Sequence, residues 1–143
     1  MAFLLLAALQ LVVVGCDPGY SNDEVARVAS PDGRLDAVLF ETNGGATTSF
    51  GYHIDISLHG RREAQQVAKL YGAVRNEHAY GLNLRWTGPN NLDIDFLRTK
   101  APPEIKSPVK IGNQDVTVTV HSDVLDSSAP SGGMLYNLKK SKN

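Results

Sequence analysis

Cysteine is almost absent from this 143-residue chain: Cys16 stands alone, so no internal disulfide can staple the fold. Charge of one sign is missing too. A formal net charge of −1 leaves no basic stripe of the kind that captures nucleic acid. The one basic cluster, Lys139, Lys140 and Lys142, has too few charges to hold anionic lipid firmly and reads as a solvated tail. No apolar run is long enough to span a bilayer. "AFLLLAALQLVVVG" covers about 14 residues with Gln10 inside it, whereas a spanning helix needs about 20 and a signal-peptide core 7–15. No Lys or Arg precedes that run. There is no G-x-S-x-G elbow, so a mid-strand Ser57 beside Asp55 lacks the strained turn and oxyanion hole of a nucleophilic triad.

What is present begins with the ending of the apolar run. Val13-Val14-Gly15-Cys16 resembles the lipobox of bacterial lipoproteins. The resemblance implies a diacylglyceryl group on the Cys16 thiol, cleavage between Gly15 and Cys16, and acylation of the new amine. Two or three acyl chains hold a protein at a bilayer stably, where one does so only marginally. Asp17 resembles the inner-membrane retention signal of enteric bacteria, which favours the periplasmic face of the inner membrane over the outer membrane. Residues 1–15 are therefore expected to be a signal peptide, 16–23 a tether, 24–122 a β domain and 123–143 a loose C-terminal tail. The tether "DPGYSNDE" would keep the domain within about 25 Å of the bilayer.

The remaining chain is long enough for one domain that buries about two-thirds of its unfolded surface. Its patterning is β. Residues 24–29 and 34–42 flank Ser30-Pro31-Asp32-Gly33, where Pro31 presets φ, Asp32 can bond its own backbone and Gly33 accepts positive φ. The second strand is apolar on both faces, as a central strand is. "YHIDISLH" alternates cleanly, with Tyr52, Ile54, Ile56 and Leu58 on one face and His53, Asp55, Ser57 and His59 on the other. Residues 61–80 are ambiguous: Ala64, Val67, Ala68 and Tyr71 fall at helical spacing, while 66–73 also suits a strand, which the β neighbours favour. Two more hairpins follow, one around Gly88-Pro89-Asn90-Asn91 and one around Gly112-Asn113, with Val116, Val118 and Val120 inward. The expected fold is all-β: a small antiparallel sandwich or curled sheet of six or seven strands.

The turn Ser30-Pro31-Asp32-Gly33-Arg34, the loop "GGATTSF" and the later Trp86 hairpin together resemble a group of small, uncharacterised bacterial proteins, often lipoproteins. The resemblance covers residues 28 to about 120. It implies an envelope location and a β-rich fold, and no activity. Relatives often carry a cysteine where Gly44 stands.

Candidate sites are few. The "GGATTSF" loop offers two glycines for close backbone approach, the hydroxyls of Thr47 and Thr48, and Phe50. With His53 beside it, it is the candidate ligand site, although it lacks the Lys and the strand-to-helix context of a phosphate loop. The competing and favoured reading is a hairpin loop with Phe50 packed into the core. His53, Asp55 and His59 stand at i, i+2 spacing, about 7 Å per step, so they could share a metal with a neighbouring strand. The competing reading is a solvated outer sheet face. Asp93 and Asp95 read as cross-strand partners of Arg85. No constellation combines the residue types and spacing that catalysis needs. The expected function is thus a lipid-anchored, noncatalytic binding module. It needs no cofactor, meets the bilayer through Cys16 and an envelope protein as partner, and does not bind nucleic acid. The alternative is a metal-binding protein or small hydrolase using the His53/Asp55/His59 face.

Overall fold

The computed structural model describes residues 20–76 and 79–126, and the regular elements among them are all strands. In chain order these are β1 (Ser21–Ala29), β2 (Leu35–Asn43), β3 (Gly51–Leu58), β4 (Ala64–Tyr71), β5 (Arg75–Asn76), β6 (Ala79–Tyr80), β7 (Leu82–Gly88), β8 (Asn91–Phe96), β9 (Glu104–Ile105), β10 (Val109–Ile111) and β11 (Gln114–His121). One sheet has the order β1-β2-β3-β4-β9 and the other β10-β11-β8-β7, while β5 and β6 form a small ribbon. Inward side chains of both sheets make one core: Leu35, Leu39, Ile54 and Ile56 on one side meet Leu82, Leu92, Ile94 and Val116 on the other. Each such side chain contributes about 1.5–3 kcal/mol on burial. This is the expected all-β sandwich.

The first turn forms as its residues dictate. Gly33 N–H donates to Ser30 O at 2.9 Å and Gly33 sits at φ +70°. The buried Ser30 hydroxyl donates to Asp32 Oδ1 at 2.7 Å and accepts from Leu35 N–H at 3.0 Å. Beyond the turn, β2 is buried on both faces along most of its length and runs between β1 and β3.

The ambiguous segment is a strand, and its helical spacing has a physical origin. Ile54 pairs with Ala68 but Asp55 pairs with Gln66, so Val67 is an extra residue in a β-bulge. Val67 and Ala68 are consequently both buried, whereas Ala64 and Tyr71, the outer members of the apparent helical stripe, are exposed.

Three expectations need adjustment. The first strand begins at Ser21, so residues 21–23, expected in the tether, pair with Asn43, Thr42 and Glu41. Residues 123 and 124, expected in the loose tail, donate backbone hydrogen bonds to Leu97 O and Phe96 O at 2.9 and 3.1 Å. The sandwich is not purely antiparallel, since β11 lies parallel to β8. Residues 97–113 supply the long connection a parallel pair requires. They add β9 to the edge of β4 and then return as β10.

The registers give the sandwich two unlike ends. Leu35 faces Leu58, and Trp86 Nε1–H donates to Val28 O at 2.9 Å, so the turns at 30–33, 59–63, 89–90 and 112–113 gather at a turn end. Thr42 faces Gly51, which faces Tyr71, and Lys100 N–H donates to Tyr71 O at 2.9 Å. The loop 44–50 and the connections beyond β4 and β8 therefore share the opposite, loop end. Tyr20 and residues 123–124 are there as well, so the described chain both enters and leaves at the loop end. Side chains bridge both open flanks: Trp86 joins β7 to β1, and Gln65 Nε2–H donates to Lys110 O at 2.8 Å, joining β4 to β10.

Candidate functional site

The outward face of the five-stranded sheet carries cross-strand rows fixed by register. Thr42, Gly51 and Tyr71 form one row. Phe40, His53, Lys69 and Glu104 form the next, and Val38, Asp55 and Gln66 the one after. The first two rows lie at the loop end. Gly51 has no side chain, and that opens a trough between Thr42 and Tyr71. A Cβ there would lie 2.5 Å from Thr42 Oγ1, so a glycine is what the packing admits.

The trough deepens into a cleft of about 430 Å³ that includes Tyr20, Thr42, His53, Gln66, Lys69 and Tyr71 in its lining, with Pro102 and Glu104 on the β9 side. Tyr20 is 71% exposed and Tyr71 44%, two of the four large hydrophobic side chains exposed among the described residues. The Tyr71 hydroxyl is held by the Ser49 N–H at 3.0 Å. Phe40 and His53 stack with centroids 4.7 Å apart and planes 12° apart, which fixes the imidazole plane. The side chains of Gln66, Lys69 and Glu104 have no hydrogen bond or ion pair among the described residues, although Lys69 and Glu104 are register partners. One row on, Asp55 Oδ1 is buried without a partner among the described residues. Burial pushes the Asp55 carboxyl above its ordinary pKa, against a smaller opposing pull from His53.

The expected site residues are thus divided. His53 lines the cleft. Thr47 and Thr48 are exposed and do not. The loop that holds them is bonded to itself: Gly45 N–H donates to Asn43 Oδ1 at 2.9 Å, and Thr48 donates through both N–H and hydroxyl to Gly45 O at 3.1 Å. Phe50 packs against the core, with the Arg75 guanidinium 3.6 Å above its ring centroid.

His53, Asp55 and His59 do not converge: six residues separate His53 from His59, about 20 Å along the chain. His59 lies beyond the end of β3, and its Nδ1 is 2.9 Å from the buried Asp36 carboxylate, which Arg27 also approaches at 3.7 Å. Among the described residues no group of three His, Cys, Asp or Glu side chains is arranged to hold a metal. Asp93 and Asp95 meet Arg85 at 2.9 and 3.4 Å, as expected, and His121 Nε2 is 3.3 Å from Asp93. Cys16 and the signal segment lie outside the described residues.

Sequence reading missed a charged group inside the loop end. Glu41 points inward from β2, accepting from Arg75 Nη1–H at 3.0 Å and from the Tyr52 hydroxyl at 3.1 Å. The available signal was an acidic residue in phase with Leu35, Ala37 and Leu39, which demands a buried partner. Its partner lies 34 residues away. No protein-family model matches the chain, and comparison with curated proteins and with solved structures gives no match either.

Proposed function

We propose that this chain is a bacterial envelope lipoprotein whose β-sandwich is a noncatalytic binding module held at a bilayer by acyl groups on Cys16. The inner membrane's periplasmic face is the favoured location because of Asp17. The observation that carries the reading is Val13-Val14-Gly15-Cys16 at the end of an apolar run of signal-peptide length. The short interval to the fold supports it. Only residues 17–20 separate Cys16 from β1, about 15–18 Å when extended. An anchored domain would therefore keep its loop end, and the cleft there, close to the headgroups. The resemblance to small envelope lipoproteins points the same way, and an envelope protein is the partner it suggests.

The test is intact mass measurement of the full chain extracted from bacterial membranes, beside a Cys16→Ser variant. The expected wild-type mass is that of residues 16–143 plus acyl groups, and the variant keeps its leader. A wild-type protein that is freely soluble and unmodified refutes the proposal.

A further inference from the structure

The loop-end cleft joins three properties. It offers aromatic rings held in place, since the exposed Tyr71 is pinned through its hydroxyl and the half-buried His53 by its stack on Phe40. It offers uncommitted polar groups of both kinds: Lys69 donates, Glu104 accepts, and Gln66 and Thr42 do both. Its volume of about 430 Å³ falls in the usual range of small-molecule sites, about 300–1,000 Å³.

These properties select among ligand chemistries. Lys69 and Glu104 face each other in register with one charge of each sign, so the cleft has no net attraction for a phosphate or a carboxylate. An apolar ligand would strip water from both charged groups without replacing its hydrogen bonds, which is costly. A neutral ligand with an apolar face and a rim of hydroxyls satisfies both demands. A pyranose is such a ligand, because its C–H face packs on the negative face of an aromatic ring while its hydroxyls bond the polar rim. We infer that the cleft lined by Tyr20, His53, Lys69, Tyr71 and Glu104 binds a short saccharide of one or two rings. The inference deepens the binding-module reading and rests on it, but does not depend on the Cys16 anchor.

The test uses the full chain in a detergent without a sugar headgroup, with N,N′-diacetylchitobiose, cellobiose and maltose as probes in saturation-transfer NMR. The expected result is transfer to at least one probe. Tyr71→Ala should weaken it about tenfold, while Tyr71→Phe, which keeps the ring, stays within about threefold of wild type. Glu104→Gln and Lys69→Ala, both on the surface, should each weaken it severalfold, and Thr47→Ala, outside the cleft, should leave it unchanged. Trp86 fluorescence reports whether each variant is folded. Absence of transfer to all three probes at about 10 mM overturns the inference. So does binding that survives Tyr71→Ala, Lys69→Ala and Glu104→Gln in folded protein. If a Cys16-acylated, membrane-bound protein shows no transfer, the saccharide site fails and the anchor stands. If an unmodified, soluble chain binds the probe, the reverse holds.

Discussion

Replacing Arg75 by Met strands a carboxylate. The Glu41 side chain is 6% exposed and the Arg75 side chain 18%. With the guanidinium gone, Glu41 keeps the Tyr52 hydroxyl but no opposite charge. Removing one partner of a buried ion pair costs about 3–5 kcal/mol, and the partial exposure of Arg75 argues for the lower end, about 3 kcal/mol. Loss of the guanidinium from above Phe50 adds about 0.5–1 kcal/mol. Together these approach half the stability of a typical domain, about 5–15 kcal/mol. The double variant Glu41→Gln/Arg75→Met removes both charges and should recover to within about 1 kcal/mol of wild type, because an uncharged pair of similar volume leaves no ion to desolvate. Urea unfolding followed through Trp86, the single tryptophan, measures both. With a slope of about 1.5–2 kcal/mol per molar, the single variant should lower the midpoint by about 2 M. A loss below about 1 kcal/mol for Arg75→Met, or a double variant no better than the single one, would show that the pair is effectively solvated and the reasoning wrong.

Two further outcomes concern carboxylates with opposite shifts. The Ser30 hydroxyl, and after it Arg34, hold Asp32 down to about pKa 2. A depressed folded pKa means that this contribution is complete above the unfolded value near 3.8 and is lost as pH falls through about 2. Side-chain NMR titration should place the Asp32 midpoint there, and Ser30→Ala should raise it, while loss of the hydroxyl that the buried Leu35 N–H bonds costs about 1–2 kcal/mol. An unmoved midpoint in Ser30→Ala would refute the assignment. For Asp55 the sign reverses: burial raises its folded pKa, so stability present at low pH is lost as pH rises through that value. Stability curves of wild type and Asp55→Asn should converge in acid and separate at neutral pH with the Asn variant ahead. A wild type more stable than the variant at neutral pH would contradict this.

Much of the β architecture was legible because alternation reports burial directly. "YHIDI" on β3 and "NLDIDF" on β8 place the same residues inward in the sequence and in the fold, while at the end of β3 the alternation lapses, with Ser57 buried and Leu58 exposed. The Ser30-Pro31-Asp32-Gly33 turn was legible because its conformation follows from its own side chains. The bulge at Val67 was not, since one inserted residue changes the strand's phase and imitates a helical stripe. Nor was the parallel pairing of β11 with β8, because register between distant strands is decided by the whole layer and not by either segment. The site was half legible. His53 could be chosen from its outward phase, but the cleft beside it depends on Thr42, Gly51 and Tyr71 coming level across three strands, which no local pattern encodes. His59 failed as its companion because it lies six residues from His53, about 20 Å along the chain, and meets Asp36 instead.

The last strand among the described residues, β11, is an inner member of its sheet, between β10 and β8. A polypeptide delivered amino end first, whether from a ribosome or through a translocation pore, would have the β7–β8 hairpin emerge without the neighbour that covers it. The two layers cannot seal until roughly residue 121 has arrived, and contacts of such long reach form slowly. The sandwich thus stays open until β11 has arrived to cover the β7–β8 hairpin.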